Sequence, residues 1–267
     1  MRFLEVTVVL LSAVLVMNMS ITKSRRKGTS SLLLMVILIT LLHLLIEGYR
    51  WQMVPSYLLL GLFTLIRNRE SQKTATVVIS IIWTFSLLLP ATVPVVKLPK
   101  PTGPFKVGTA IFHWTDTTRT EWFTEEPGDL RKMMIQLWYP AKNNSRNKAS
   151  PYIDHIDLRA QAIGDRVGLP SFMLDHLNLV KTHSFIEASP IESKELFPLI
   201  IFSHGLGGMR NQNTVLMEEL ASTGYAVVAM DHPYDANMTI FPPNSEASAE
   251  RIADYRSAIP EGTADSI

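Results

Sequence analysis

The feature that most constrains the fold of this chain is a sharp division of charge and hydrophobicity near residue 96. Residues 1–96 carry nine basic and three acidic side chains in an otherwise apolar sequence, whereas residues 97–267 carry 16 basic and 21 acidic side chains. Together they give a formal net charge of +1. Because the positive charge lies between apolar segments and forms no basic soluble face, we do not expect nucleic-acid binding.

Four apolar stretches occupy the first part of the chain, at residues 3–21, 32–46, 53–66 and 74–96. A helix needs about 20 apolar residues to cross the core of a bilayer, and the first and fourth stretches have this length. The second and third are shorter and form either a tight transmembrane hairpin, anchored by Tyr49 and Trp51, or a pair of interfacial or re-entrant segments. The sequence predicts a multi-span α-helical membrane region in residues 1–96, with about four transmembrane helices.

Basic loops give the expected orientation of these helices. The basic side chains between the first two stretches and between the last two are Lys23, Arg25, Arg26 and Lys27, and Arg67, Arg69 and Lys73. The positive-inside rule places both loops in the cytoplasm, so the part after Val96 lies outside. We therefore expect a multi-pass protein of the cell membrane whose soluble domain is extracytoplasmic.

A proline-rich linker at residues 97–104 separates the membrane region from the second domain, residues 105–267. Proline cannot continue a helix, so this segment is expected to be a stiff, extended spacer. Residues 105–114 and 133–139 are rich in β-branched and aromatic side chains, which predicts two strands. Residues 151–190 are mixed, with short helical patterns and many charges, and the sequence does not place them in the fold.

The most informative segment is residues 197–233. Residues 198–202 form a continuous apolar run, typical of a strand buried on both faces. Residues 214–222 have the pattern of a helix, with Val215, Leu216 and Leu220 on one face, and residues 225–230 form a second apolar run. A strand, a glycine-rich loop, a helix and a strand predict a βαβ unit and hence a parallel sheet.

The loop that follows the first of these strands contains His204, Gly205, Leu206 and Gly207. Its spacing matches neither the G-x-G-x-x-G fingerprint nor the P-loop. It does match the His-Gly-x-Gly loop that directs a backbone N–H at the oxyanion of an acyl-transfer intermediate. Leu206 is then the donor and the other three residues form the loop; the alternative is an ordinary tight turn.

With residues 220–225 and Asp231-His232, this loop resembles the platelet-activating factor acetylhydrolase family. Val107-Gly108 and residues 136–141 resemble the first two strands of that family. The resemblance implies an incomplete α/β-hydrolase, the N-terminal half of a parallel sheet. It also implies a serine carboxylic-ester hydrolase that releases short acyl chains from phospholipids or other esters without a cofactor.

The catalytic residues of such an enzyme are missing from the sequence. No serine has glycine at both −2 and +2, and Ser203 has Ile201 and Gly205 there, so the G-x-S-x-G serine and the acid and histidine that follow it are absent. We expect a truncated esterase that is inactive alone and has an unpaired apolar sheet edge. The alternative is a catalytically inactive, membrane-tethered remnant that binds lipid or a partner.

The loop after the second strand, with Asp231, His232 and Asp235, has residue types that can bind a metal at the carboxyl end of a strand. No second histidine lies nearby, so we interpret Asp231 and His232 as lining the substrate site, and we expect no metal. The expected partners are the membrane and a lipid or small ester substrate. The sequence does not specify the oligomeric state.

Overall fold

The computed structural model describes residues 1–21, 26–66, 73–124, 127–142, 148–193, 196–241 and 252–254. It divides into two compact units, Met1–Val96, the helical unit, and Lys97–Ile267, the sheet unit. Four basic residues of the two predicted loops lie outside the described residues: Lys23, Arg25, Arg67 and Arg69. The predicted orientation in the membrane therefore stays a prediction.

The helical unit consists of α1 (Phe3–Ile21), α2 (Arg26–Ile46), α3 (Val54–Ile66) and α4 (Lys73–Thr92), with a short 3-10 turn at Trp51–Met53. These helices coincide with the four apolar stretches. Two clusters of apolar side chains are buried in this unit: Leu15, Leu33, Val36, Leu59, Leu60, Phe63 and Ile79, and Val8, Val9 and Met53. Arg50 donates to the carbonyls of Pro90 and Val93, at 3.3 and 2.8 Å, and so satisfies the end of α4.

Only one helix of the described chain, Thr74–Thr92, is both long and apolar enough to cross a membrane. The apolar parts of the other three, Phe3–Asn18, Ser30–Ile46 and Trp51–Leu65, are shorter. Among the described residues, helix length and composition therefore leave one candidate span and do not support the multi-span region that the sequence suggested.

The sheet unit contains β1 (Lys106–Thr120), β2 (Leu130–Ala141), β3 (Ala149–Pro151), β4 (Lys181–Ile186), β5 (Leu199–Ser203) and β6 (Ala226–Asp231), in the spatial order β3-β4-β1-β2-β6-β5. Its helices are α5 (Ile156–Val167), a 3-10 helix at Ser171–Leu179, and α6 (Thr214–Ser222). Two further strands, β7 (Met238–Ile240) and β8 (Ile252–Asp254), form a separate antiparallel pair.

The sheet is mixed, which corrects the expectation of a parallel one. The pairs β1–β4 and β5–β6 are parallel, whereas β1–β2, β2–β6 and β3–β4 are antiparallel. The sequence predicted β1 and β2 as strands and gave no sign of their direction. It missed β4, because the inward side chains of this strand, Thr182 and Ser184, are polar.

The βαβ unit is confirmed by the parallel register of β5 and β6, in which Leu199 lies opposite Ala226 and Ser203 opposite Met230. The expected burial of β5 on both faces was wrong. This strand is at the edge of the sheet, and its Leu199 and Ile201 are 59% and 64% exposed.

The predicted inner face of α6 was right for Leu220, which packs against the core of the sheet unit, and wrong for Val215 and Leu216. Met217 and Ala221, four residues apart, pack against the sheet around Trp138, while Val215 and Leu216 are exposed. Spacing alone selects a face of a helix only when one side is apolar, and α6 has apolar residues on both sides.

The proline-rich segment packs on α6 where a free spacer was expected. The N–H groups of Gly103 and Phe105 donate to the hydroxyl and carbonyl of Ser222, at 3.0 and 3.1 Å. A Cβ atom at Gly103 would collide with the Ser222 backbone, so this approach requires glycine. The segment therefore belongs to the sheet unit, where it fixes the entry to β1.

Candidate active site

The candidate site lies where the parallel strands β5 and β6 end side by side. Ser203 is the last residue of β5, and the glycine-rich loop follows it; Asp231 is the last residue of β6, and His232 follows it. Because parallel neighbours end at the same edge, residues almost 30 positions apart meet here.

His204 connects the glycine-rich loop to the end of β6. Its Nε2 accepts the backbone N–H of His232 at 3.1 Å, and its Nδ1 lies 2.8 Å from the carbonyl oxygen of Gly205. A ring nitrogen that accepts an amide proton carries none itself, so the network assigns the proton to Nδ1, which donates to Gly205. His204 is thus a buried side chain that joins the two strand ends.

The glycine-rich loop turns sharply and leaves two amides open. Gly207 has φ +67°, a left-handed conformation that favours glycine, and its N–H donates to the carbonyl of Asp235 at 2.6 Å. Gly208 donates back to Gly205 at 2.8 Å. The N–H groups of Gly205 and Leu206 donate to no protein atom among the described residues. The proposed oxyanion role of Leu206 stays a prediction that this geometry permits.

Ser203 and His232 form a hydrogen bond that the sequence did not indicate. The hydroxyl Oγ of Ser203 lies 2.8 Å from Nε2 of His232, and Ser203 is exposed while His232 is half-buried. No linear motif joins these residues. The only available signal was the parallel βαβ pattern, which places the two strand ends together.

The surroundings of His232 favour its neutral form. Burial lowers the pKa of His232, and the nearby His204 and Arg131 lower it further, against the opposing effect of Asp235 and Asp231. At neutral pH the imidazole therefore has a ring nitrogen free to accept the proton of a hydroxyl.

Asp231 does not line an open surface. Its side chain is fully buried and accepts the backbone N–H of Arg210 at 2.6 Å, a guanidinium N–H of Arg210, and one from Arg159 at 3.4 Å. Asp154 pairs with the same two arginines, so the cluster holds two carboxylates and two guanidinium groups. Of the two residues interpreted as lining the substrate site, only His232 reaches the accessible edge of the sheet.

The arginines control the ionisation of Asp154 in this cluster. Burial alone would raise the pKa of the Asp154 carboxyl, but Arg159 and Arg210 outweigh it and hold the pKa below its ordinary value. The cluster connects Arg210, which follows the glycine-rich loop, to Asp231 of β6 and through it to Arg159 of α5, and so holds the end of this loop in place.

One group with metal-binding side chains lies in the described part of the helical unit. Carboxylate and imidazole atoms of Glu5, His43 and Glu47 lie within 4.8 Å of one another. Arg2 lies 2.8 Å from Glu5 and Arg50 lies 3.4 Å from it, so cations already pair with the acidic side of this group. We interpret it as a buried ion-pair network.

The sheet unit is similar in sequence to a known protein family. The model of the family described as "Platelet-activating factor acetylhydrolase, isoform II" matches residues 91–259, more than half of the chain. The chain belongs to this family. The family is one of carboxylic-ester hydrolases, and the resemblance noted in the sequence is confirmed.

Two relatives show how much of the chain is shared. Platelet-activating factor acetylhydrolase of Cavia porcellus is 32% identical over 140 residues, which are 51% of this chain and 28% of that protein. A probable 1-alkyl-2-acetylglycerophosphocholine esterase of Arthroderma benhamiae is 27% identical over 154 residues, 54% of this chain and 39% of that protein. The chain thus matches well under half the length of these relatives.

A solved structure of ferulic acid esterase from Streptomyces cinnamoneus also aligns with the chain. Its sequence identity is 31% and its TM-score is 0.46, with coverage of 59% of this chain and 40% of the esterase.

Proposed function

We propose that the protein is a membrane-anchored serine carboxylic-ester hydrolase that acts on short-acyl esters or phospholipids in lipid degradation. The observation that carries this proposal is the glycine-rich loop at the end of β5, with the open N–H groups of Gly205 and Leu206. Membership of an ester-hydrolase family supports the same reaction class.

The loop has a direct use in that reaction. Attack on an ester carbonyl converts the carbonyl oxygen into an oxyanion, and a preorganised N–H donor stabilises this charge more than it stabilises the substrate. One such donor contributes about 2.7–4 kcal/mol to transition-state stabilisation. His204 holds the loop through Gly205, so the Leu206 amide needs no reorganisation when the charge develops. The reaction requires no cofactor.

The serine of an α/β-hydrolase elbow has no counterpart in this sequence. The relatives are matched over only part of their length, and we propose that the rest of the natural protein supplies the elbow, the acid and the histidine.

We further propose that the helical unit anchors the protein in the cell membrane and leaves the sheet unit extracytoplasmic. The length and hydropathy of Thr74–Thr92 support one span. Large apolar side chains on the outside of the unit, such as Leu45 at 84% and Leu65 at 76% exposure, would otherwise face water. We expect the protein to stay in membranes that have been washed with carbonate. We also expect protease added outside intact cells to digest the residues beyond 97. Protection of the sheet unit in intact cells would contradict this topology.

The oxyanion role is tested by exchanging one backbone N–H. In membranes that contain the natural gene product, Leu206→Pro removes the amide and should lower kcat for a 2-acetyl phospholipid by about 100- to 1,000-fold. Leu206→Ala retains the amide and removes only a half-exposed side chain, so it should leave kcat nearly unchanged. Equal losses in both variants would contradict the oxyanion role. Absence of any ester hydrolysis by the wild type would instead favour the inactive remnant that binds lipid or a partner.

A further inference from the structure

We propose that Ser203 and His232 form a nucleophile–base pair that accepts a short acyl group from an activated ester. This inference rests on the proposed function for its substrate class, carboxylic esters of short acids. It goes beyond that function because it assigns a reactive serine and its base to residues of this chain, away from any nucleophile elbow.

The placement of the pair is suited to acyl transfer. Ser203 ends the edge strand β5 and is exposed, so an ester can approach its Oγ from solvent. His232 Nε2 lies 2.8 Å from that oxygen, within the distance over which a general base removes a proton. The open amides of Gly205 and Leu206 follow Ser203 directly in the chain.

The hydrogen bonds around the pair fix which atom can act as the base. The backbone N–H of His232 is held by Nε2 of His204, which anchors His232 at its main chain and leaves its ring to meet Ser203. Because the environment keeps His232 neutral, Nε2 can accept the hydroxyl proton while Nδ1 carries the ring proton.

The reaction balances without any further reagent. The Ser203 Oγ–H bond breaks, its proton moves to Nε2 of His232, and Oγ bonds to the ester carbonyl carbon. The ester C–O bond then breaks and the leaving alkoxide takes the proton from His232. Water next attacks the acyl-serine, gives its proton through His232 to Ser203, and releases the carboxylic acid.

The full chain in detergent micelles provides the test, with p-nitrophenyl acetate as the ester. We expect a burst of p-nitrophenolate and the mass of one acetyl group on the peptide that contains Ser203. Ser203→Ala should abolish both, and His232→Gln should slow acylation by at least about 100-fold, the usual contribution of a general base. Ser203→Cys should retain the burst, because a thiol is also a nucleophile.

A matched control and a pH profile separate this role from a structural one. Ser171→Ala removes an exposed serine at the start of a 3-10 helix and should leave the burst unchanged. The wild-type acylation rate should fall as pH drops through the lowered pKa of His232, the group influenced by His204, Arg131, Asp231 and Asp235. A merely structural pair would not give this profile.

The outcomes distinguish this inference from the proposed function. A burst that survives Ser203→Ala, an acetyl group on another residue, or no acetylation of the wild type would each overturn the pair. The Leu206 comparison in native membranes would still stand. Conversely, acetylated Ser203 together with equal effects of Leu206→Pro and Leu206→Ala would retain the pair and overturn the oxyanion role.

Discussion

The buried carboxylate of Asp231 offers a sharp test of how the site is supported. In Asp231→Asn the side chain keeps its shape but loses its charge. Arg210 and Arg159, which are fully buried, are then left with Asp154 as their remaining anionic partner. Removal of one member of a buried charge cluster costs about 3–5 kcal/mol, because the other charges stay out of water.

Hydrogen exchange of the strand that carries Asp231 measures this loss directly. Each 1.4 kcal/mol changes an opening equilibrium about tenfold, so amides of residues 226–231 should exchange roughly two to four orders of magnitude faster in the variant. Exchange in the helical unit, followed in the same sample, should not change. Mass spectrometry of peptides from the full chain resolves both units at once.

Two further variants decide whether charge is the cause. Asp116→Asn breaks a pair with Arg119, which is 62% exposed, and should leave exchange in residues 226–231 unchanged. The double variant Asp231→Leu with Arg210→Met removes one charge of each sign and should recover most of the lost protection. Exchange in Asp231→Asn within threefold of the wild type would refute the reasoning that this cluster supports β6.

Two other predictions concern α6 and the edge of the sheet. Burial raises the pKa of the Glu218 carboxyl, whose Oε1 accepts the backbone N–H of His183. The folded state therefore binds the proton of Glu218 more tightly than the unfolded state does. It loses stability as the pH rises above about 4.3, the ordinary pKa of a glutamate. Glu218→Gln should therefore raise the urea midpoint at pH 7 and not at pH 4. Glu219→Gln should not raise it, because hydrogen bonds from Thr102 lower the pKa of that carboxyl. A lower midpoint for Glu218→Gln at pH 7 would contradict this. Ile201→Lys places a charge on the open edge of the sheet, so it should reduce self-association, measured by light scattering, without unfolding the sheet unit. Val227 is fully buried, so Val227→Lys should unfold this unit. If both variants unfold it, the edge at Ile201 is covered.

Local patterns in the sequence were sufficient for the βαβ unit. The apolar run before Ser203, the glycine-rich loop and the helix at residues 214–222 are each encoded by neighbouring residues, and the structure has all three. The helix begins at Thr214 and ends at Ser222, as the sequence predicted, and Gly224 follows it with a positive φ of 107°. Such signals require no knowledge of the rest of the sheet.

The directions of the strands, and the existence of β4, depend on residues far apart in the chain. The antiparallel pairing of β1 with β2 and of β2 with β6 is determined by packing among segments far apart in the chain. In β4, the hydroxyl of Thr182 donates to the carbonyl of Ser150 on the neighbouring strand, so a buried position is filled by a polar residue. Hydrophobic periodicity cannot detect a strand whose inner face is polar.

A sequence motif for a nucleophile likewise detects only residues that are neighbours in the chain. The G-x-S-x-G pattern tests the residues on either side of one serine, and Ser203 fails it. The structure gives Ser203 a histidine from the next strand, which no spacing rule in a single segment can reveal. A serine at the end of one parallel strand and a histidine after its neighbour is a pattern in the pairing of strands.

The different fates of Asp231 and His232 follow from strand alternation, which the sequence already contained. Side chains along a strand point alternately to opposite faces, and Val227 and Ala229 are fully buried on one face of β6. Asp231 has the same parity, so its carboxylate lies on the buried face and requires cations, which Arg159 and Arg210 provide. His232 has the opposite parity and is free to meet Ser203. The alternation of side chains along β6 therefore separates Asp231, which supports the site from the buried face, from His232, which contacts Ser203. This alternation can be counted from the amino-acid sequence alone.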